Sequence, residues 1–166
     1  QVAERLAPRL VSAGIEVLTP RRASDDLAAL LERFRQGGAV LLGARAFWQG
    51  IDVPGTDLQA VVIEKLPFDV PTELLRRRER RLEQEGIRVF DRFTLGRMLL
   101  HLKQMIGRLI RSESDRGLVV IVEGRTTKRY FGKLPNALPP GSHIEVAKAS
   151  DLGRLLREVG IETREP

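Results

Sequence analysis

The sequence predicts an α/β fold in which a mainly parallel β-sheet is flanked by helices. Three short β-branched runs, at 39–44, 60–65 and 118–123, are bounded by Gly, Asp or Pro, which is typical of strands buried on both faces. Segments with the apolar spacing of helices separate these runs. Because such an alternation forms a parallel sheet covered by helices, we expect a layered α/β domain.

The amino-terminal part of the chain predicts two helices and a strand ahead of the first run. Apolar spacing predicts a helix over 1–13 and a strand over 15–19. A second helix is predicted over 24–38, with Ser24 as its N-cap and Gly at its end. These elements supply the first helical cover of the sheet.

The rest of the chain predicts helices between and after the other two runs. Helices are expected over 71–85 and 94–111, and a short segment follows at 126–134. The remaining predictions are a loop at 135–141, a last strand at 143–148 and a last helix at 151–160.

Length and composition predict one soluble domain. A chain of 166 residues has the size of one compact domain, so we expect residues 1–166 to form a single domain. The first residue is not Met and no signal-peptide core follows it, which predicts a cytoplasmic piece of a larger protein. A run of about 18 apolar residues, as a membrane span requires, is absent from the sequence.

The sequence offers few ligands for metals. It contains no Cys and only two His, which excludes disulfides and thiolate metal or iron–sulfur sites formed by these residues. We therefore predict no metal site in this chain.

The net charge of +6 suits a polyanionic partner such as a nucleic acid, although charge alone is weak support. The densest basic cluster is RRRERR at 76–81, which Glu79 interrupts. It is either a solvated helix face or a track of contacts to phosphates, and the sequence alone does not separate the two.

The predicted helix over 94–111 carries a polar row opposite its apolar stripe. At about 100° per residue, Gln104, Arg108 and Arg111 fall within roughly 60° of one another. Gly107 lies beside them and costs a helix about 1 kcal/mol relative to Ala, which suggests close approach by another group. The alternative is that both arginines are ordinary solvated residues. The apolar stripe comprises Leu95, Met98, Leu99, Leu102, Met105, Ile106 and Leu109.

Ligands of open α/β sheets bind where loops leave the carboxyl ends of the strands, which selects the loops after 39–44 and 60–65. In the first loop, Gly50 allows a backbone to approach closely and Asp52 accepts hydrogen bonds or fixes an arginine. Asp52 has a second interpretation as a plain turn residue before proline. Trp48 likewise is either a stacking platform or an aromatic at the edge of the core.

Four segments, in this order, resemble the second motor lobe of DinG-like helicases, which are bacterial relatives of XPD within superfamily two. They are WQGIDVPG at 48–55, EKLPF at 64–68, QMIGRLIRSESDRG at 104–117 and TKRYFGKLPNALP at 127–139. GxDxPG corresponds to motif V of that family and QxxGRxxR to motif VI. The resemblance implies a RecA-like three-layer domain that closes on a first lobe in an ATP-dependent DNA helicase.

The resemblance also implies roles for the polar row. Arg111 would be an arginine finger that stabilises charge on the γ-phosphoryl group of ATP. Arg108 would contact the phosphates or pair with Asp52, and Gln104 would orient the attacking water or bind a phosphate. Gly107 would let the facing lobe come close.

Motif V is expected to couple the nucleotide to the DNA backbone through Gly50 and Asp52. Together with Gln104, Gly107, Arg108 and Arg111, these residues form the predicted nucleotide site. The candidate contacts to single-stranded DNA are Arg45, Trp48, Lys128 and Arg129.

The chain lacks a G-x-x-x-x-G-K-[ST] loop and an Asp-Glu motif for Mg²⁺. ATP and Mg²⁺ are therefore expected to be held mainly by the first lobe, and this chain alone is expected not to hydrolyse ATP. An iron–sulfur cluster, found in many relatives, would belong to that lobe. The expected partners are single-stranded DNA and the first lobe, in the bacterial cytoplasm and with no membrane.

Two other functions remain compatible with the sequence. The chain is alternatively a stand-alone basic α/β module that binds single strands without motor activity, through residues 76–81 or through Lys128, Arg129 and Tyr130. A third interpretation is a structural or regulatory scaffold in a protein whose motor is inactive.

Overall fold

A computed structural model of the chain describes residues 2–20, 26–44, 57–110 and 115–161. It contains two compact units, Gln1–Leu58 and Gln59–Pro166. Helices and short parallel strands occur in both units, so the predicted α/β class is confirmed. The single domain over 1–166 stays a prediction.

The first unit consists of two helices and one parallel pair of strands. Val17 lies opposite Val40 in that pair, and its core contains Leu31, Phe34 and Leu41. The elements of the unit are α1 (Val2–Ser12), β1 (Glu16–Leu18), α2 (Leu27–Arg35) and β2 (Ala39–Leu41).

The N-cap of α2 lies two residues after the predicted one, Ser24, and the helix begins at Leu27. Asp26 is the N-cap, because its Oδ1 accepts hydrogen bonds from the N–H groups of Ala28 and Ala29 at 3.0 and 3.1 Å. Asp and Ser are both good N-caps, and only the structure shows which one is used. Ser24 lies outside the described residues.

The second unit carries most of the predicted site. Its strands are β3 (Ala60–Ile63) and β4 (Leu118–Ile121), and its helices are α3 (Glu73–Gln84), α4 (Leu95–Ile106) and α5 (Leu152–Glu158). A π-helical turn, Phe90–Thr94, leads directly into α4. Two 3₁₀ segments follow β4, at Phe131–Ala137 and Ala149–Asp151.

Strands β3 and β4 pair in parallel, with Ala60 opposite Leu118 and Ile63 opposite Ile121. Their amino ends therefore lie together, and so do their carboxyl ends. Within the described residues the strands form two separate pairs, so a three-layer RecA-like sheet is not shown.

Helix α4 forms the centre of the core of the second unit. Met98, Leu102 and Ile106 follow one another at i, i+4 spacing and are almost completely buried, as the apolar stripe predicts. The helix packs against the 3₁₀ segment Phe131–Ala137, whose Leu134 and Ala137 are also buried.

The structure corrects the end of this helix. α4 ends at Ile106 rather than at 111, because the N–H of Gly107 still bonds to the carbonyl of Lys103 at 2.8 Å while Arg108 bonds to Met105 in a tighter turn, at 3.3 Å. Arg108 thus lies in a turn after the helix.

Two predictions near the carboxyl terminus are also wrong. Residues 143–148 form no strand, since they have no partner strand among the described residues and Ile144 and Val146 are exposed. The predicted loop at 135–141 begins inside a 3₁₀ segment that ends at Ala137.

Helix α3 carries the RRRERR cluster on an exposed surface. Arg77 and Arg80 contact Glu73 at 3.3 and 3.5 Å, and Arg81 contacts Glu85 at 3.2 Å. These short-range pairs favour the interpretation of the cluster as a solvated helix face.

Candidate nucleotide and nucleic-acid site

The structure describes only some of the predicted site residues. Gln104 is exposed on the last turn of α4, Gly107 ends the helix, and Arg108 is partly buried. Lys128 and Arg129 are exposed on the loop after β4. The residues that lie outside the described ranges are Arg45, Trp48, Gly50, Asp52 and Arg111.

Gly107 has ordinary right-handed dihedral angles, with φ of −63°. A Cβ added there would lie 3.2 Å from the carbonyl oxygen of Lys103, on the end of the same helix. Among the described residues, a side chain at this position would therefore contact only the backbone of its own helix. Close approach of a second lobe at Gly107 stays a prediction.

Gly117 is a close-approach glycine that the sequence analysis did not single out. A Cβ at this position would lie 2.7 Å from Cδ1 of Leu109 and 2.8 Å from its Cγ. Leu109 is itself buried, so it has little room to move aside. The sequence feature that could have indicated this close approach is an isolated Gly just before a strand.

Leu109 and Gly117 lie close together in the described part of the chain. Leu109 follows the end of α4 by three residues, and Gly117 lies immediately before the first residue of β4. Leu109 is thus held next to the amino end of β4.

A different group of side chains collects at the carboxyl ends of β3 and β4. Glu123, two residues beyond β4, is only 5% exposed. It accepts hydrogen bonds from Nε and Nη2 of Arg125 at 2.9 and 2.8 Å and from the hydroxyl of Tyr130 at 3.0 Å. The N–H of Arg125 donates a further bond at 2.8 Å. One carboxylate therefore organises the whole loop after β4.

These hydrogen bonds change the ionisation of the loop. The bonds from the Arg125 side chain are the main reason why the pKa of Glu123 falls to about 2, against the opposing effect of burial. Burial and the bond to Glu123 raise the pKa of Tyr130. The hydrogen bonds that Arg125 itself donates to Glu123 raise the pKa of Arg125.

We expect the Glu123→Gln variant to lose part of the acid sensitivity of the second unit. The pKa of Glu123 is about 2 in the folded protein and 4.5 ordinarily, so its stabilising effect is complete above about pH 4.5. That effect disappears as the pH falls through about 2. Its size is small because Arg125 is 63% exposed and solvent screens the pair.

Urea unfolding at about pH 6 and about pH 3 measures this effect as the change in the free energy of unfolding between the two conditions. The wild-type chain should lose more stability on acidification than Glu123→Gln. Glu83→Gln, on the exposed face of α3, is the matched control and should behave like wild type. Equal losses in all three proteins would contradict the prediction.

Three aromatic rings meet beside Glu123, and we call Phe68, Phe90 and Tyr130 the aromatic cluster. The centroids of Phe68 and Tyr130 are 5.6 Å apart in an edge-to-face arrangement. Phe90 lies 6.2 Å from Phe68 and 6.5 Å from Tyr130. The guanidinium carbon of Arg125 lies 5.8 Å from the centroid of the Tyr130 ring. The members of the cluster come from three distant segments of the chain, so no local sequence pattern reveals it.

The loop after β3 is fixed to α4 by a charged contact. Asp69 accepts a hydrogen bond from Nε of Arg97 at 2.5 Å, which raises the pKa of Arg97, and lies 3.8 Å from Nδ1 of His101. This contact holds the loop that carries Phe68. Fixed in this way, the loop presents its aromatic ring at a defined position.

The predicted DNA contacts Lys128 and Arg129 lie on the same loop as Tyr130. The N–H of Lys128 bonds to the carbonyl of Arg125 at 3.0 Å, and Arg129 lies 3.8 Å from Asp91 of the π-helical turn. The structure therefore brings these two residues together with the aromatic cluster. Leu109, the residue after Arg108, lies instead at the other end of β4, next to Gly117.

Within residues 2–20, 26–44, 57–110 and 115–161, no three side chains of the types that bind metals come together. The same part of the chain has no helix with the length and hydropathy needed to cross a bilayer.

Residues 1–141 match the model of the helicase C-terminal domain family. The chain belongs to the helicase C-terminal domain family. The resemblance to DinG-like helicases is thereby confirmed. In this helicase C-terminal domain, the matched region includes both the segment after α4 and the loop after β4.

Curated relatives of this helicase C-terminal domain are themselves helicases or DinG proteins. It is 38% identical over 135 residues to the ATP-dependent DNA helicase YoaA of Escherichia coli, covering 80% of this chain and 20% of that protein. It is 32% identical over 149 residues to the 3'-5' exonuclease DinG of Bacillus subtilis, covering 88% and 16%. It is 37% identical over 122 residues to the ATP-dependent helicase DinG of Mycobacterium tuberculosis, covering 72% and 18%. The chain thus spans about one fifth of the length of these relatives or less.

Proposed function

We propose that this helicase C-terminal domain is the second motor lobe of an ATP-dependent DNA helicase. The observation that carries the proposal is that QxxGRxxR, which begins on the last turn of α4, occurs in a chain of this family. Within this motif, Leu109 is buried and lies beside Gly117, which supports a fixed position for the adjacent Arg108. A fixed position suits a group that must meet a phosphate on another lobe.

In the proposed reaction, this lobe acts on ATP that is held with Mg²⁺ mainly by the first lobe. Negative charge builds on the γ-phosphoryl oxygens, and the guanidinium of Arg111 stabilises it. Arg108 contacts the phosphates or pairs with Asp52, and Gln104 orients the attacking water or binds a phosphate. Gly50 and Asp52 of motif V couple the nucleotide to the DNA backbone.

The proposed nucleic-acid partner is single-stranded DNA. One relative is an ATP-dependent DNA helicase, and the net charge of +6 of this chain suits a phosphate backbone. Lys128 and Arg129 are the described contacts of this proposal, and Arg45 and Trp48 are its other members. Hydrolysis would close and open the two lobes and so move the protein along the strand.

The finer structural part of the proposal is a RecA-like three-layer domain that closes on the first lobe. We also propose that the complete protein works in the bacterial cytoplasm. Any iron–sulfur cluster would be held by the first lobe, because the present sequence contains no Cys.

The decisive experiment compares the 166-residue chain with the complete protein in an ATPase assay, with and without single-stranded DNA. DNA-stimulated ATP hydrolysis is expected from the complete protein and not from the chain alone, because catalysis needs groups from both lobes. Robust hydrolysis by the chain alone would contradict the division of the active site.

Two variants of the complete protein, Arg108→Ala and Lys128→Ala, distinguish a motor lobe from a stand-alone binding module. In a motor, Arg108→Ala lowers DNA-stimulated hydrolysis, whereas Lys128→Ala weakens DNA binding and its salt dependence. A binding module would respond to Lys128→Ala or to changes in 76–81 and would show no effect of Arg108→Ala on any measured activity.

A further inference from the structure

We propose that Phe90 stacks against a base of single-stranded DNA, on a surface at the carboxyl ends of β3 and β4. The proposal rests on the proposed function, because it takes the DNA to be bound by this lobe. It goes beyond that function by assigning an aromatic contact to a base, separate from the contacts to phosphates.

Phe90 is the outermost ring of the aromatic cluster. It is 46% exposed, whereas Tyr130 is 7% exposed. Its ring lies 27° from the plane of Phe68, and Tyr130 packs from another side. Phe90 is therefore supported by two rings while almost half of its surface remains open. A ring supported in this way loses little conformational entropy when a base stacks on it.

The backbone at Phe90 adds a second, independent observation. Phe90 is the first residue of the π-helical turn that precedes α4. Such turns are rare and often occur at functional sites, where the wider turn redirects side chains. Phe90 is exposed, whereas Leu95 and Met98 on the stripe of α4 are buried.

The surroundings of Phe90 have the charge that a nucleic acid strand requires. Arg88 and Arg92 flank it along the chain, and both are exposed. Asp91 lies 3.4 Å from Arg88 and 3.8 Å from Arg129, so one carboxylate orients two guanidinium groups. The other acidic side chain beside the cluster, Glu123, is paired with Arg125, and Lys128 is exposed next to Arg129. Aromatic rings among basic side chains are the usual surface for single strands, where bases stack and phosphates pair with cations.

The position of the patch favours a base of DNA over the adenine of ATP. Leu109, which belongs to motif VI, lies beside Gly117 at the amino end of β4. The aromatic cluster lies beyond the carboxyl ends. At about 3.3 Å per residue, four-residue strands separate these two sites by roughly 10 Å or more.

The test compares two oligonucleotides with the same number of phosphates, an oligothymidylate and an abasic strand, in binding assays with the complete protein. We expect wild type to bind the oligothymidylate more tightly. Phe90→Ala should weaken binding to the oligothymidylate by about 5- to 100-fold and leave the abasic strand almost unaffected. The slope of affinity against salt should not change, because the phosphate contacts remain. Phe90→Trp should retain binding.

Leu100→Ala is the matched control, since Leu100 is an apolar side chain that is also exposed, on the outer face of α4. Phe90→Leu is a second test variant, in case Phe90→Ala folds poorly, because it keeps an apolar group against Phe68. It should show the loss of oligothymidylate binding that is expected for Phe90→Ala.

Three results would overturn the proposal. The first is unchanged binding of oligothymidylate by Phe90→Leu. The second is an equal loss on both strands. The third is weaker binding of ATP by the Phe90 variants in the absence of DNA, which would show that the ring stacks on adenine. Failure of the wild-type protein to bind single strands or to hydrolyse ATP would instead contradict the proposed function itself.

Discussion

Replacing Arg111 by alanine is expected to lower DNA-stimulated ATP hydrolysis by the complete protein by roughly 10³- to 10⁵-fold. The charge on the γ-phosphoryl group is greatest in the transition state, so the loss should appear in kcat more than in KM. Arg111→Lys should recover only part of the rate, because an ammonium group does not reproduce the planar fork of a guanidinium.

Steady-state ATPase measurements with saturating single-stranded DNA test this prediction. Arg5→Ala, at an exposed position on α1, is the matched control and should keep the wild-type rate. If the Arg111→Ala rate stays within about twofold of wild type, the assignment of the arginine finger is wrong. Binding of single-stranded DNA should remain, since the predicted DNA contacts lie on other segments.

Leu102→Ala is expected to lower the free energy of unfolding of the chain by about 2–5 kcal/mol. Leu102 is completely buried between Met98 and Ile106 on the stripe of α4, so its truncation leaves a cavity that the surrounding side chains do not fill. Few domains have stability enough to absorb such a loss without partial unfolding.

Urea unfolding followed by circular dichroism measures the effect. Leu100→Ala, two residues away and exposed, should change the free energy of unfolding by no more than about 0.5 kcal/mol. Similar effects of the two substitutions would show that α4 is not the centre of the core.

The sequence predicted the fold best where one periodic pattern determines burial. The stripe through Met98, Leu102 and Ile106 is buried as its spacing predicts, because i, i+4 residues share one helix face. The parallel pairing of β3 with β4 agrees with the prediction from their apolar runs. Element ends were predicted less well, since a cap such as Asp26 depends on hydrogen bonds that several residues in sequence are able to make.

The candidate site was predicted unevenly for a similar reason. Motif VI and the basic pair Lys128 and Arg129 are contiguous in sequence, so they are visible there. The aromatic cluster joins the loop after β3, a π-helical turn and the loop after β4, and no local pattern connects such positions. The carboxylate of Glu123 was missed because its importance comes from burial, which spacing alone does not reveal.

The parallel register of β3 and β4 has a mechanical consequence. Four hydrogen-bonded residues of each strand join the segment that precedes β4 to the loops that carry the rings and basic side chains. A short, fully extended connection of this kind has no hinge within it. A displacement of the amino ends of this pair is therefore transmitted to its carboxyl ends with little bending, because the two strands move together as one unit.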